Sequence, residues 1–222
     1  MLRNSCGCLL AALFGLKPNK PADLKTLTTY ELYPSYSTNC KEYYGAGLHF
    51  IDEADGSIVA GAQPHKKTPC ISGFGGKAEA SDGSSVITAY RETIEELCGV
   101  SVDEEFIRGL INELGLVPLG YEMADGYVYY LLSQRDMVSI IGYVWMRRRS
   151  FIRYYVGPYA PQSVEEVVRC RVWGEAEVAE VEQLYVLHLV DQVQGKGHDG
   201  LPLDPLFVKD MELIHAWWSR KN

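Results

Sequence analysis

Two short stretches of sequence, separated by residues 80–90, carry the pattern that decides the fold. The first is Gly73-Phe-Gly-Gly-Lys-Ala-Glu79, and the second is Arg91-Glu92-Thr-Ile-Glu95-Glu96-Leu-Cys-Gly99-Val100. On a helix, the glutamates of the second stretch stand at i, i+3 and i+4, so they fan over an arc of roughly 100°. Like charges this close repel by roughly 0.2–0.5 kcal/mol per pair on an exposed helix. The pattern indicates either a solvated acidic face or a site for a divalent cation.

The glycine-rich first stretch adds to the cation interpretation. A hard cation such as Mg²⁺ takes oxygen ligands and keeps waters or substrate phosphates in its remaining positions. Glycine has no Cβ, so a glycine loop ahead of the helix brings the backbone close to such a metal. Each stretch alone is a weak signal, and three glutamates alone favour the solvated face. Their joint occurrence, after a predicted hairpin and ahead of Gly99, is a strong signal.

This combination resembles the sequence box of the Nudix hydrolase superfamily, in a variant similar to those of large DNA viruses. The resemblance is close over residues 73–100, loose in the hairpin before them and the strands after them, and faint beyond residue 133. The sequence departs from the box at three points. The box has a glutamate between its glycine loop and its helix, and an extra residue ahead of the helix puts this middle acid near Asp82 or Gly83. Thr93 stands where the box has an apolar residue. Two residues, instead of one, separate Glu96 from Gly99, the glycine that ends the box. The register of the glutamates is untouched, so the role of the middle acid is the open point.

The resemblance implies a role for each residue of the box. Glu92, Glu95 and Glu96 would hold one or more Mg²⁺ or Mn²⁺ ions, and the Gly75 carbonyl would be a further ligand. Arg91 would orient the glutamates through charge-assisted hydrogen bonds and would not touch the substrate. The metal would polarise a phosphoryl oxygen, neutralise the diphosphate and help to generate hydroxide from bound water.

The remaining roles fall outside the helix. Lys77 and Glu79 are candidates for contacting the phosphates of the substrate or the shell of the metal. The general base in this family is a box glutamate or an acid on a distant loop. Glu177 and Glu180, just before a predicted strand, are candidates for that distant acid, and ordinary surface acids are the alternative.

One basic stretch, Trp145-Met-Arg-Arg-Arg-Ser-Phe-Ile-Arg-Tyr-Tyr155, stands out in a chain of net charge −8. Arginine with interleaved aromatic residues stacks on bases and binds phosphates in single-stranded RNA recognition. Arg147 and Arg149 are therefore candidate substrate contacts, and an RNA cap is a candidate partner. The favoured alternative is a half-buried strand with its basic residues facing water.

Two further sets of residues carry weaker signals. Tyr127, Tyr129 and Tyr130, on one predicted strand, could stack on a base, although a place in the core is the favoured interpretation. His49 alternates with apolar neighbours, which favours a packed strand residue over a metal ligand.

Helices and strands follow one another without strict βαβ alternation, which favours an α+β fold or a layered α/β sandwich. The resemblance implies the Nudix-type α/β/α sandwich with a mixed central sheet, over residues 41–222, behind a linker-like extension at residues 1–40. Asp55-Gly56 is the turn signal of a first hairpin. The predicted strands are 47–51, 57–60, 117–121, 127–132 and 180–187; the predicted helices are Ser84 or Ser85 to Leu97, 103–114 and 205–218; residues 136–143 are ambiguous.

Composition limits the class of protein. A chain of 222 residues with 47% hydrophobic residues can bury a sizeable core. Its acidic net field does not attract polyphosphate, so phosphate chemistry would need a local basic patch or a bound cation. No run of about 18 apolar residues predicts a membrane span. The scattered cysteines favour reduced thiols in a cytoplasmic protein, and the apolar segment 8–16 is a short helix or tail, with a targeting segment as the alternative.

The sequence thus predicts a divalent-metal-dependent hydrolase that cleaves the diphosphate linkage of a nucleoside diphosphate derivative. Its partner would be a small molecule such as a nucleotide or nucleotide-sugar, with no membrane involved. Two alternatives remain open: an enzyme that hydrolyses the mRNA cap, and a Nudix-fold binding module that has lost catalysis.

Overall fold

The computed structural model describes residues 43–64, 66–124, 126–148, 152, 154–155, 158–171, 181–192 and 197–221. No helix among these residues is long and apolar enough to cross a membrane. The elements, in chain order, are β1 (Gly45–Ile51), β2 (Ser57–Gln63), β3 (Cys70–Ser72), β4 (Phe74–Lys77), α1 (Ser85–Cys98), α2 (Glu104–Leu114), β5 (Gly120–Ala124), β6 (Tyr127–Ser133), α3 (Gln134–Arg148), α4 (Val164–Cys170), β7 (Gln183–His188), α5 (Leu189–Gln192) and α6 (Pro205–Trp218).

Helix α1, which carries the three glutamates, begins and ends where the sequence predicts. The Ser84 side chain accepts a hydrogen bond from the backbone N–H of Ile87, which satisfies one of the free donors of the first turn. Gly99 follows the last turn at φ 67°, and its N–H donates to the Glu95 carbonyl. The helical register of the glutamates is therefore confirmed.

The sheet is mixed, as predicted, with strands in the order β3-β2-β1-β6-β5. On one side of β1, the strand pairs in parallel with β6 over its whole length. On the other side of β1, β4 pairs with residues 45–48 and β2 pairs with Phe50 and Ile51. β1 and β2 therefore diverge, and β3 and β4 fill the space between them. β7 pairs with the outer edge of β2.

The sheet separates two apolar clusters, which gives the α/β/α layering. Leu48 and Phe50 of β1 pack on the side of α1, α2 and α3. Ile51 of the same strand packs on the opposite side, together with Phe207 and Trp217 of α6. Alternation along a strand explains this division, because successive side chains point to opposite faces. Each fully buried Leu or Phe contributes roughly 1.5–3 kcal/mol to the free energy of unfolding.

Several predicted elements differ from the structure. The ambiguous residues 136–143 belong to α3, and residues 145–148 of the basic stretch are the last turn of that helix, so the strand interpretation of these four residues is wrong. Residues 70–77 form strands β3 and β4 where the sequence suggested a loop. Helix α4 was not predicted. The predicted bounds of α6 are confirmed, while β5 and β7 begin three residues later than expected.

Candidate active site at the glycine strand and the glutamate helix

The glycines of β4 lie directly against the acidic face of α1. The backbone N–H of Gly75 donates a hydrogen bond of 2.8 Å to Oε2 of Glu96, whose residue is only 4% exposed. Nε2 of Gln63, at the end of β2, donates to the other oxygen, Oε1, at 3.1 Å. These two donors fix the orientation of a buried carboxylate.

Two glycines of β4 lie in this close packing, and Gly75 is the one whose backbone leaves no room for a side chain. A Cβ on Gly76 would overlap the carboxylate of Glu92. Gly75 has φ +147°, and a Cβ there would lie 2.5 Å from both Gly47 Cα and Tyr127 Oη. A side chain at position 75 would displace β4 from β1, whereas one at position 76 would turn the Glu92 carboxylate away from the strand, so the glycines allow the backbone to lie beside the glutamates.

A bidentate ion pair between Arg91 and Asp82 anchors the site. Nε and Nη2 of Arg91 donate to the two oxygens of Asp82 at 2.9 Å each, and Nη2 also donates to the Lys77 carbonyl at 3.0 Å. The Thr88 hydroxyl donates to Asp82 Oδ2 at 2.8 Å. Asp82, which is 5% exposed, is the one acid of the two residues that the sequence left open, and its role as the middle acid of the box stays a prediction.

The ion pair shifts the titration of both partners. Burial by itself raises the pKa of Asp82, but the hydrogen bonds from Arg91, Glu79 N–H and Thr88 outweigh it and hold the pKa below 3.8. Burial lowers the pKa of Arg91, but Asp82, Glu92 and Glu95 reverse that effect, so the guanidinium is charged at every ordinary pH.

The free end of the same guanidinium faces the other acids. Nη1 of Arg91 lies 2.9 Å from Glu92 Oε1, 3.1 Å from Glu95 Oε2 and 3.6 Å from Glu79 Oε1. Together with Asp82, four carboxylates surround one buried cation, and Glu96 adds a further negative charge on the same helix face. The described part of the site therefore has a surplus of negative charge.

The donor chemistry of the site fits a hard divalent cation. Carboxylate oxygens are the ligands that Mg²⁺ and Mn²⁺ prefer. Gln63 Oε1, beside Glu96, is buried and has no hydrogen-bond partner among the described residues. This oxygen is therefore available to a cation or a donor. Within the same residues, no three acidic, cysteine or histidine side chains converge closely enough to enclose a metal ion as they stand. Glu92 and Glu95 instead contact Arg91, and they would have to turn from it to bind one.

Of the other predicted site residues, two lie near the glutamates of α1, one lies elsewhere, and three are outside the described residues. Lys77 ends β4 with its side chain exposed, and the side chain of Glu79 is 62% exposed beside Arg91. Arg147 lies at the end of α3, where it pairs with Glu113 of α2 and covers the Tyr143 ring at 3.9 Å. Among the described residues, no contact joins Arg147 to Glu92, Glu95 or Glu96. Arg149, Glu177 and Glu180 lie outside the described residues, so their roles stay predictions.

Arg171 is a site-supporting residue that the sequence analysis missed. Its guanidinium is 8% exposed and donates to the carbonyls of Glu96, Leu97 and Val181 at 2.7–2.8 Å. Carbonyls in the last turn of a helix lack intrahelical partners, so a buried cation here holds the end of α1 in place. No local sequence signal marks Arg171, because its partners are distant in the chain.

Tyr127 of β6 closes the site from the side of the sheet. Its hydroxyl donates to the Ala46 carbonyl at 3.0 Å and lies beside Gly75, and its ring lies beside Gly45. Burial, followed by the negative charges of Glu96 and Glu92, raises its pKa, so the hydroxyl stays protonated. Tyr130, in contrast, is completely buried on the other face, where the predicted core role is confirmed.

Comparisons with known proteins give structural similarity only. No family model and no curated protein matches the sequence. Among solved structures, the chain is similar to MutT, studied from Aliivibrio salmonicida and Vibrio cholerae (14% identity, 78% of this chain and 97% of that chain, TM-score 0.36). It is also similar to a NUDIX hydrolase from Nitrosomonas europaea (14%, 78% and 87%, 0.36) and to a NUDIX-family hydrolase from Clostridium perfringens (9%, 79% and 97%, 0.34). All three TM-scores lie below 0.5, so what this chain does rests on its own site residues.

Proposed function

We propose that the chain is a Nudix-type hydrolase that uses Mg²⁺ or Mn²⁺ to cleave the diphosphate linkage of a nucleoside diphosphate derivative. The observation that carries this proposal is the contact of the β4 glycines with Glu92 and Glu96 on α1. Glycine backbone and clustered glutamates are the two halves of the motif that the sequence singled out. They meet in space, and Arg91 beside them is paired with Asp82, which we propose as the middle acid of the box.

The surplus of negative charge explains why a cation would be needed. A diphosphate is itself an anion, and the carboxylates around Arg91 would repel it. Repulsion between charges a few ångströms apart is worth several kcal/mol at the edge of a protein. A bound divalent ion would neutralise the diphosphate and lower the pKa of a bound water.

The residues of the chain would position the reaction. Asp82 holds one side of the Arg91 guanidinium, which leaves Nη1 to orient Glu92 and Glu95. Gly75 and Gln63 hold Glu96, so its carboxylate has little freedom to rotate. Glu96, fixed in this way, would lose little conformational entropy when a cation binds, whereas Glu92 and Glu95 would turn from Arg91 to reach it.

The test is hydrolysis of a substrate panel with Mg²⁺ and Mn²⁺, in wild type and in Glu96→Gln. The panel contains nucleoside triphosphates, ADP-ribose, dinucleoside polyphosphates, diphosphoinositols and capped RNA. Glu96→Gln keeps the size of the side chain but removes the charge, so we expect at least about a 100-fold loss of kcat, the scale of removing one electrostatic group from a reacting centre. Chelation of the metal should abolish turnover.

A matched control is Glu105→Gln on α2, whose side chain is exposed. It makes the same chemical change away from the site, so its turnover should equal that of wild type. No turnover of any substrate by wild type, together with no calorimetric binding of Mg²⁺, would contradict the proposal and favour the binding module.

Cap hydrolysis is one arm of the same panel. It is supported in the sequence by the basic stretch, of which Arg147 pairs with Glu113 of α2 and covers the Tyr143 ring. Release of capped nucleotide from RNA alone, lowered in Arg147→Ala, would assign this arm to the chain.

A further inference from the structure

A buried amide lies beside the glutamate helix, at a position that no motif of the sequence marks. Gln63 is the last residue of β2 and is only 3% exposed. Its side chain points to the face of the sheet that packs on α1, as the side chain of Val59 does earlier in the same strand. A polar group buried there without a hydrogen bond costs roughly 1–3 kcal/mol, so each polar atom of this side chain needs a partner.

The orientation of the Gln63 amide follows from its neighbour. Nε2 lies 3.1 Å from Oε1 of Glu96. An ionised carboxylate only accepts hydrogen bonds, so the end of the amide that faces it has to be the NH₂ group. Turning the amide over would place two acceptor oxygens against each other. The amide oxygen of Gln63 therefore points away from this oxygen of Glu96.

The other end of the amide lacks a partner. Oε1 of Gln63 is buried, and none of the described residues donates a hydrogen bond to it. The backbone N–H of Gly75, the second donor at this point, is already bonded to Oε2 of Glu96. The carboxylates of Glu92 and Glu95 on the same helix are acceptors as well. Oε1 therefore requires a donor, or a cation, that comes from outside the chain.

A hydrated divalent cation brings donors to a place where acceptors are in excess. Mg²⁺ keeps several of its waters when it binds to carboxylates, and each of these waters presents O–H donors. Residues that hold a metal ligand from behind typically change metal affinity by about 10- to 100-fold when they are substituted. Gln63 has one polar atom on a glutamate of the proposed cation site and another that requires a donor.

We propose that Gln63 is a positioning residue that sets the affinity of the acidic site for its divalent cation. Its NH₂ group holds the Glu96 carboxylate, and its Oε1 accepts a hydrogen bond from a water of the bound cation. The inference rests on the proposed function, which assigns Glu96 to the cation. It adds a residue that lies outside the Nudix box, 33 residues before Glu96.

The test is binding of Mn²⁺ alone to the whole chain, measured by calorimetry and by the spin-resonance signal of free Mn²⁺. Gln63→Met keeps the length of the side chain but removes its donor and its amide oxygen. We expect the Kd for Mn²⁺ to rise about tenfold or more. This measurement needs no substrate, so it does not depend on hydrolysis.

Gln134→Met is the matched control. Gln134 is also a buried glutamine, and its Nε2 donates to the carbonyl and the hydroxyl of Ser57. Ser57 and Gln63 are the first and last residues of β2, which places them about 20 Å apart at roughly 3.3 Å per residue. The control therefore makes the same chemical change far from the glutamates, and its Kd for Mn²⁺ should equal that of wild type.

A second variant and a kinetic measurement separate this role from a merely structural one. Gln63→Asn keeps a polar amide but is one carbon too short to reach Glu96, so it should also weaken Mn²⁺ binding, and it remains informative if Gln63→Met unfolds. In turnover assays, the Mn²⁺ concentration that gives the half-maximal rate should rise about tenfold in Gln63→Met. Saturating Mn²⁺ should then restore most of kcat, whereas a damaged fold would lower kcat at every Mn²⁺ concentration.

The possible outcomes distinguish the inference from the proposed function. Mn²⁺ binding as in wild type in both Gln63 variants would overturn the inference alone and would leave an ordinary buried water as the partner of Oε1. An equal loss in Gln134→Met would overturn it too. Mn²⁺ binding that Gln63→Met weakens, without hydrolysis of any diphosphate by wild type, would overturn the proposed function alone. Absence of Mn²⁺ binding in wild type would overturn both.

Discussion

Two arginine–carboxylate pairs in this chain illustrate how burial changes the value of the same chemical contact. Arg91 pairs with Asp82 through two parallel hydrogen bonds, and both side chains are less than 10% exposed. Arg147 pairs with Glu113 on the surface, with side chains 39% and 55% exposed. Water screens the second pair and competes for it, whereas loss of either partner in the first would leave a charge without solvation. The first pair is therefore expected to be structural, and the second replaceable.

The largest effect is expected for Asp82→Ala. The variant leaves the buried Arg91 guanidinium without its bidentate partner, and removing one member of a buried pair typically costs about 3–5 kcal/mol. The free energy of unfolding from urea titration, with circular dichroism as the signal, measures this cost. Arg91 would also turn more fully toward Glu92 and Glu95, so hydrolysis should fall even at a temperature where the variant is folded. A loss below about 1 kcal/mol would show that the remaining acids replace Asp82.

Acid should reduce the difference between wild type and Asp82→Ala. The pKa of Asp82 is held below its ordinary value of 3.8 in the folded state, so its contribution is fully present above pH 3.8 and is lost as the pH falls through the lower, folded value. Unfolding of both proteins by urea across pH 2–6 tests the sign. The effect is smaller than that of the substitution at neutral pH, because a protonated carboxyl still fills the space and accepts a hydrogen bond. A stability difference that grows toward low pH would contradict the direction of the shift.

The smallest effect is expected for Glu113→Ala, which removes the carboxylate of the exposed pair. Surface ion pairs contribute about 0.2–1 kcal/mol, so the change in unfolding free energy should stay below about 1 kcal/mol and shrink further in 1 M salt. The same urea titration, run beside Asp82→Ala, provides the measurement. A loss comparable to that of Asp82→Ala would remove the distinction between the two pairs.

Local signals in the sequence predict the elements that local chemistry specifies. Ser84 and Gly99 mark the ends of α1 because capping acts between neighbours in the chain. The Asp55-Gly56 turn and the bounds of α6 are predicted for the same reason. The glutamate face follows directly from helical spacing, which is why its place beside the β4 glycines was the strongest expectation.

Long-range contacts account for what the sequence could not predict. β3 and β4 are strands because β1 and β2 diverge and leave free edges, which no pattern within 70–77 reveals. Arg171 supports α1 by donating to backbone carbonyls. Every residue type has such a carbonyl, so the identities of its partners give no signal in the sequence. The basic stretch was expected to be a strand, yet its first residues are helical, and Arg147 and Arg148 place their side chains over the rings of Tyr143 and Phe106, which lie far from them or one turn back in the sequence.

The parallel pairing of β1 with β6 has a consequence for the kinetics of folding. Gly45 lies opposite Tyr127, so this pairing closes a loop of 82 residues (127 minus 45). Contacts between residues so distant in the chain form slowly, since the entropy of loop closure is lost before the contacts are gained. Helix α1, the β4 glycines and Asp82 all lie inside that loop. The hydrogen bonds of the acidic site join residues 9 to 33 apart in the chain, so we expect them to form before the β1–β6 pairing encloses them.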